Sequence, residues 1–143
     1  MQLSDISPLS GVIGALIGAV ATYWFGLRGE ASKNYKKLRT DAYVDFIHAV
    51  AVMAAANRSK DETKAAETSA LAADAKARIA IYGSRAVANG LAEFFLHHGV
   101  LNSEPALSSF ARVIALMRAE TPGGKEELES STLRQLVFGS EEK

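Results

Sequence analysis

The sequence contains no cysteine, and its 16 basic and 16 acidic residues leave it with no net charge. Without cysteine the chain can form neither disulfides nor thiolate metal sites, so its fold must be stable without them. Without a basic excess it lacks the broad positive field that attracts nucleic-acid phosphates, and we expect no nucleic-acid partner. Its length of 143 residues is that of one modest domain.

Charge is also absent from residues 6–27, whose sequence is ISPLSGVIGALIGAVATYWFGL. As an α-helix this run would be roughly 33 Å long, close to the thickness of the hydrocarbon core of a bilayer. We therefore predict one N-terminal transmembrane helix and assign residues 1–27 to it. A cleaved signal peptide is disfavoured because no basic residue precedes the run and no small-residue cleavage site follows it. A buried core helix remains an alternative, since Gly and Ala make the run only moderately apolar.

Lysine and arginine are missing before the run but frequent after it, in residues 28–40, which we interpret as a basic juxtamembrane stalk. The positive-inside bias then places the N-terminus outside and the C-terminal domain in the cytoplasm. Aromatic rings at the end of the run and the cations after it predict contact with membrane lipid. The residues predicted at this interface are Tyr23, Trp24, Phe25, Arg28, Lys33, Lys36 and Lys37. The positive-inside bias alone would also account for these lysines, without a role in lipid binding.

Small residues recur on one face of the predicted span, at Gly11, Gly14, Gly18 and Thr22. Such a face lets a second helix approach closely, and close packing is a main attraction between helices in lipid. It predicts a homo-oligomer or a larger membrane-protein partner. Glycine is also common in spans generally, which is the simpler explanation. The span contains no ionisable residue, so a single copy cannot relay protons.

The rest of the chain has helical patterns and no sustained alternation of the kind that predicts strands. Residues 30–58 lack Pro and Gly and carry apolar residues at spacings of three and four, which predicts an amphipathic helix. Three more helices are predicted at 63–82, 85–98 and 106–119. The fold class is therefore all-α, with an antiparallel bundle of about four helices in residues 41–120. Residues 121–143 are predicted to be a flexible tail with a short helix.

Local signals refine this prediction. Ser84 and Ser103 are suitable N-caps for the helices that follow them. In the alanine-rich second helix, we assign the packing face to a set of residues spaced by three and four: Ala66, Ala70, Ala73, Ala77 and Ile81.

Two short segments, Asp41-Ala42-Tyr43-Val44-Asp45-Phe46 and Ala115-Leu116-Met117-Arg118, occur with one N-terminal span and a basic stalk. In this layout the chain resembles small bacterial single-span inner-membrane proteins with a cytosolic helical domain. The resemblance covers most of the chain and implies a bacterial inner-membrane location. It implies no activity and no site residues.

One group of residues is the best candidate for a metal or acid–base site. Glu93 and His97 are one helical turn apart, next to His98, and His48 from the first helix would have to complete a metal site. Histidines in the last turn of a helix are more simply explained by the negative end of the helix dipole. We therefore predict no catalytic residue, no cofactor and no bound metal.

These patterns favour a non-enzymatic, membrane-anchored accessory or interaction subunit that presents a helical bundle to cytosolic partners. An alternative is an oligomeric membrane-active effector or pore former, which its cytosolic domain would trigger. A third is a membrane-bound enzyme or metal protein built on the histidines. The last two need features that the sequence lacks.

Overall fold

The computed structural model describes residues 7–124 and 126–139, with side chains from residue 18 onward. Within these residues the protein consists of helices and connecting turns, with no strand. The helices are α1 (Ser7–Ser59), α2 (Glu62–Tyr82), α3 (Arg85–His97), α4 (Glu104–Ala119) and α5 (Ser130–Phe138). The predicted all-α class and the helical bundle are confirmed.

The chain divides into two compact units, Met1–Lys37 and Leu38–Lys143. Helix α1 contributes to both, because the helix predicted for residues 30–58 and the described part of the charge-free run belong to one helix. Gly26 and Gly29 lie inside α1 and do not end it. Each of these glycines costs a helix only roughly 1 kcal/mol, which its neighbours offset.

In the part of the chain that the structure describes, no helix combines the length and the apolar character needed to cross a membrane. The predicted span starts at residue 6. The structure does not describe the surroundings of residues 6–17, which include the predicted packing residues Gly11 and Gly14.

The core of the second unit is one cluster to which all five helices contribute. Helix α4 supplies the largest share because its apolar residues recur at spacings of three and four, and it packs against α3 and α5. Phe110 of α4 is fully buried, and its ring lies 5.2 Å from Phe94 of α3, 5.9 Å from Phe138 of α5 and 6.0 Å from Phe46 of α1, centroid to centroid. This aromatic cluster therefore joins four of the five helices.

Both predicted serine caps are confirmed. The hydroxyl of Ser84 accepts a hydrogen bond from the backbone N–H of Val87 at 3.2 Å, and that of Ser103 accepts one from Ala106 at 3.4 Å. Each satisfies a backbone donor that the first helical turn leaves without a partner. Pro105, in the first turn of α4, fits there because its missing N–H is not needed.

The packing face that the sequence predicts for α2 is wrong. All five residues assigned to it are exposed, and the buried residues of α2 are Thr68, Ala72, Ala75 and Ile79. The reason is that alanine occurs on every side of α2, so several sets of residues at helical spacing fit the pattern equally well. The hydroxyl of Thr68 is tolerated in the buried face because it donates to the carbonyl oxygen of Lys64 at 2.6 Å.

An ion-pair network on the surface links α1 to α2. The guanidinium of Arg78 lies 2.8 Å from the carboxylate of Asp45 and 3.0 Å from that of Asp74. The hydrogen bond to Asp45, together with the charge of both carboxylates, raises the pKa of Arg78, which is ionised in any case. The network is largely exposed, so it adds little stability.

Candidate functional site

In the first unit, the described residues of α1 expose large apolar side chains close together. Within eight residues, Trp24 is 60% exposed and Phe25 75% exposed, and Val20, Tyr23 and Leu27 are at least half exposed. An isolated exposed hydrophobic residue is ordinary, but a contiguous patch of this kind is typical of an interaction surface. These residues include the three aromatic residues predicted at a membrane interface.

Two polar side chains in this part of α1 have partners within the helix. The hydroxyl of Thr22 donates to the carbonyl oxygen of Gly18, one turn earlier, at 2.8 Å. The guanidinium carbon of Arg28 lies 5.7 Å from the centre of the Trp24 ring, within the range of a cation–π interaction.

The predicted small-residue face is described only at Gly18 and Thr22. A Cβ atom built on Gly18 meets no atom within 4 Å, so the space beside this glycine is open. The predicted basic residues Arg28, Lys33, Lys36 and Lys37 are all exposed. They follow the apolar segment within about three helical turns, at about 3.6 residues per turn.

A polar cluster in the second unit joins α1, the α2–α3 turn and the end of α4. Tyr43 is 2% exposed, and its hydroxyl donates to Glu120 at 2.8 Å while it accepts from the backbone N–H of Ser84 at 3.1 Å. Arg39 donates to the carbonyl oxygen of Tyr82 at 2.8 Å and lies 3.5 Å from Glu120. Burial raises the pKa of Tyr43, and the carboxylate of Glu120 raises it further, because both disfavour the phenolate.

This cluster is a poor candidate for chemistry. Its groups form hydrogen bonds with one another and with the backbone. We interpret it as a structural link that fixes the α2–α3 turn on α1 and α4.

The second unit contains an open cavity of about 880 Å³. This volume lies toward the large end of the roughly 300–1,000 Å³ typical of small-molecule sites. The cavity is lined by residues from all five helices and from the α3–α4 connection. Its apolar lining includes the aromatic cluster described above, namely Phe46, Phe94, Phe110 and Phe138.

The charges that line this cavity have one sign. Arg58, Lys76 and Arg134 line it, and among the described residues no aspartate or glutamate does. Arg58 stands in the last turn of α1, Lys76 lies 4.6 Å from the centre of the Phe95 ring, and Arg134 pairs with Glu104. Because Glu104 offsets the charge of Arg134, the positive field at the cavity comes from Arg58 and Lys76.

One donor in this lining is unsatisfied. The Nε–H of Arg134 is buried and has no hydrogen-bond partner within the described structure. A buried donor without an acceptor costs about 1–3 kcal/mol of stability, and most buried polar groups in proteins do have a partner.

The histidine candidates do not assemble. His97 ends α3, and the backbone N–H of His98 caps the helix by donating to the carbonyl oxygen of Phe94 at 2.9 Å. In the described residues, no group of three or more potential ligands of the His, Cys, Asp and Glu types is close enough to hold a metal ion.

The sequence does not reveal the cavity, because Arg58, Lys76 and Arg134 come from three different helices whose packing the sequence pattern does not specify. A partial signal exists on α2, where Ser69, Ala72 and Lys76 are spaced by three and four and share one face. That face is recognisable only when α2 is packed in its observed orientation.

Comparison of the chain with protein-family models, curated proteins and solved structures finds no match. Function must therefore be argued from the residues themselves.

Proposed function

We propose that the protein is a non-enzymatic accessory or interaction subunit of a bacterial inner membrane. Residues 1–27 anchor it with the N-terminus outside, and the helical bundle, with its helices antiparallel, is presented to the cytoplasm. The span associates through its small-residue face with a second copy or with a larger membrane protein. The basic residues that follow the span lie near anionic lipid headgroups.

One observation carries this proposal: the cluster of exposed apolar and aromatic side chains at residues 20–27, directly before Arg28. In water, this surface would cost about 25 cal/mol for each Å² of apolar area left exposed. Lipid removes that cost, and the aromatic rings beside cations match the composition of a membrane interface. In the sequence, the charge-free run begins at residue 6, which gives it the length of a span.

The test is membrane retention of the full chain in bacterial cells. Vesicles are washed with alkaline carbonate, which removes peripheral proteins, and are then floated on a density gradient. We expect the wild-type chain to float with the vesicles. The double variant Ala19→Asp/Val20→Asp should be lost from them, because each charge near the centre of a span costs about 3 kcal/mol.

The matched control is Leu71→Asp/Ile81→Asp. Both residues are more than 60% exposed, but they lie on α2, on the surface of the bundle. This variant should float like the wild type. Release of the wild-type chain by carbonate, or release of both double variants alike, would overturn the proposal.

A further inference from the structure

We propose that the cavity of the second unit is a binding site for a long-chain carboxylate of the fatty-acid class. The apolar lining would hold the acyl chain, and the lining cations Arg58 and Lys76 would hold the carboxylate. This inference concerns the bundle alone and does not depend on the proposed membrane anchor.

The charge pattern selects an anion. Among the described residues, neither Arg58 nor Lys76 takes part in an ion pair, and neither faces a carboxylate in the cavity lining. A carboxylate there would form charge-assisted hydrogen bonds with cations that have no competing anion. A cationic or zwitterionic ligand would gain less, since its positive group would meet the like charges of Arg58 and Lys76.

The remaining lining groups are polar but do not by themselves select an anion. Arg134 already pairs with Glu104, and its Nε–H is buried, so a ligand in the cavity cannot reach that donor in this conformation. Serine, asparagine and glutamine side chains also line the cavity and add neutral donors, for example from Ser69 and Asn102.

The apolar lining selects the rest of the ligand. Phe95 is 38% exposed and Val100 is 57% exposed at the cavity, and the partly buried Leu101 and Phe138 also line it. At about 880 Å³ the cavity is far larger than a carboxylate group alone, so a compact acid would leave the apolar surface wet. An acyl chain covers that surface and gains from its burial.

The experiment uses the full chain in a non-ionic maltoside detergent and a palmitate analogue that carries a photoactivatable diazirine in its acyl chain. After irradiation, labelled peptides are mapped by mass spectrometry. We expect labelling of segments that line the cavity, chiefly around residues 100–107 and in α5. Palmitate should compete with the probe at least about tenfold better than hexadecanol at the same mole fraction, because hexadecanol has the same chain but no charge.

Two kinds of variant test the site without disturbing the core. Arg58→Gln/Lys76→Gln removes the two cations that have no ion pair, and should lower labelling at the cavity about tenfold. Its control, Arg85→Gln/Arg112→Gln, removes two exposed cations that do not line the cavity. Ser69→Phe fills the cavity from the exposed side of α2, and its control Ala70→Phe places the same ring on the adjacent exposed residue outside the lining.

Circular dichroism establishes that each variant has the helix content of the wild type. The proposal is overturned if hexadecanol competes as well as palmitate, if labelling is confined to residues 6–27, or if both Ser69→Phe and the cation variant are labelled like their controls. Labelling confined to residues 6–27 would leave the proposed anchor standing, whereas release from membranes with normal cavity labelling would leave this site standing.

Discussion

The hydroxyl of Tyr43 joins three segments of the bundle through two hydrogen bonds, to Glu120 and from the N–H of Ser84. Tyr43→Phe keeps the buried ring but leaves the Ser84 N–H without its acceptor. We expect the free energy of unfolding to fall by about 1–2 kcal/mol at neutral pH, as for a buried donor that loses its partner. Urea unfolding followed by circular dichroism measures this, with Tyr23→Phe as the control, because Tyr23 is 67% exposed.

The same variant has a characteristic pH dependence. Burial raises the pKa of Tyr43 above its ordinary value of 10.0. Below that value the hydroxyl is protonated in both the folded and the unfolded chain. As the pH rises beyond it, the unfolded chain releases the proton first, so the wild type loses stability. The stability difference between wild type and Tyr43→Phe should therefore narrow above pH 10.0. A difference that stays constant there would contradict this account.

Residue-scale features differ in how far the sequence predicts them. The caps Ser84 and Ser103 were predictable because a cap acts on a backbone N–H three residues away. The bond between Tyr43 and Glu120 spans 77 residues, and nothing in the local sequence marks either residue as the partner of the other. Long-range polar pairs of this kind can be assigned only when the fold is known.

At the scale of elements, Phe110 is the residue through which α4 holds the bundle together. Its ring contacts the phenylalanine rings of three other helices. Phe110→Ala removes these contacts and leaves a cavity in the core. We expect a loss of about 3–5 kcal/mol in the free energy of unfolding, measured by urea titration. Leu136→Ala, at a position 72% exposed on α5, should change it by less than about 0.5 kcal/mol. Similar losses in the two variants would mean that α4 is not the centre of the core.

Helices α4 and α2 show where hydrophobic periodicity succeeds and where it fails. On α4 the large residues Phe110, Val113, Ile114 and Met117 recur at helical spacing and are all buried. On α2 the large residue Ile79 is buried with Thr68, Ala72 and Ala75, whereas Leu71 and Ile81 are exposed. Hydrophobic periodicity identifies a face when the apolar residues differ in size from the rest, and in an alanine-rich helix they do not.

At the scale of the whole molecule, the all-α fold class follows from sequence periodicity, but the cavity does not. It is the space left between helices, and its lining brings Arg58, Lys76 and Arg134 together from separate parts of the chain. Each of these cations is unremarkable in its own helix. Their shared position depends on how the helices pack, which periodicity alone leaves open.

The proposed association through the span is also a property of the whole molecule, and a substitution at Gly18 tests it. Because a Cβ on Gly18 meets nothing within 4 Å, Gly18→Leu is accommodated within the chain itself. A change in assembly would therefore report on contact with another chain. We expect Gly18→Leu to lower the cross-linked oligomer fraction in membranes about tenfold, since a large side chain blocks the close approach that small residues permit.

The control for this prediction is Ala19→Leu. Ala19 is exposed on the next residue of α1 but lies about 100° around the helix from Gly18, away from the small-residue face. This variant adds a side chain of the same size and should leave the oligomer fraction unchanged. If both variants assemble like the wild type, the glycines reflect only the ordinary composition of a span, and the bundle must supply any contact between copies. If both abolish assembly, bulk anywhere on the helix suffices and the face has no specificity. Loss in Gly18→Leu alone is the result that assigns assembly to this face.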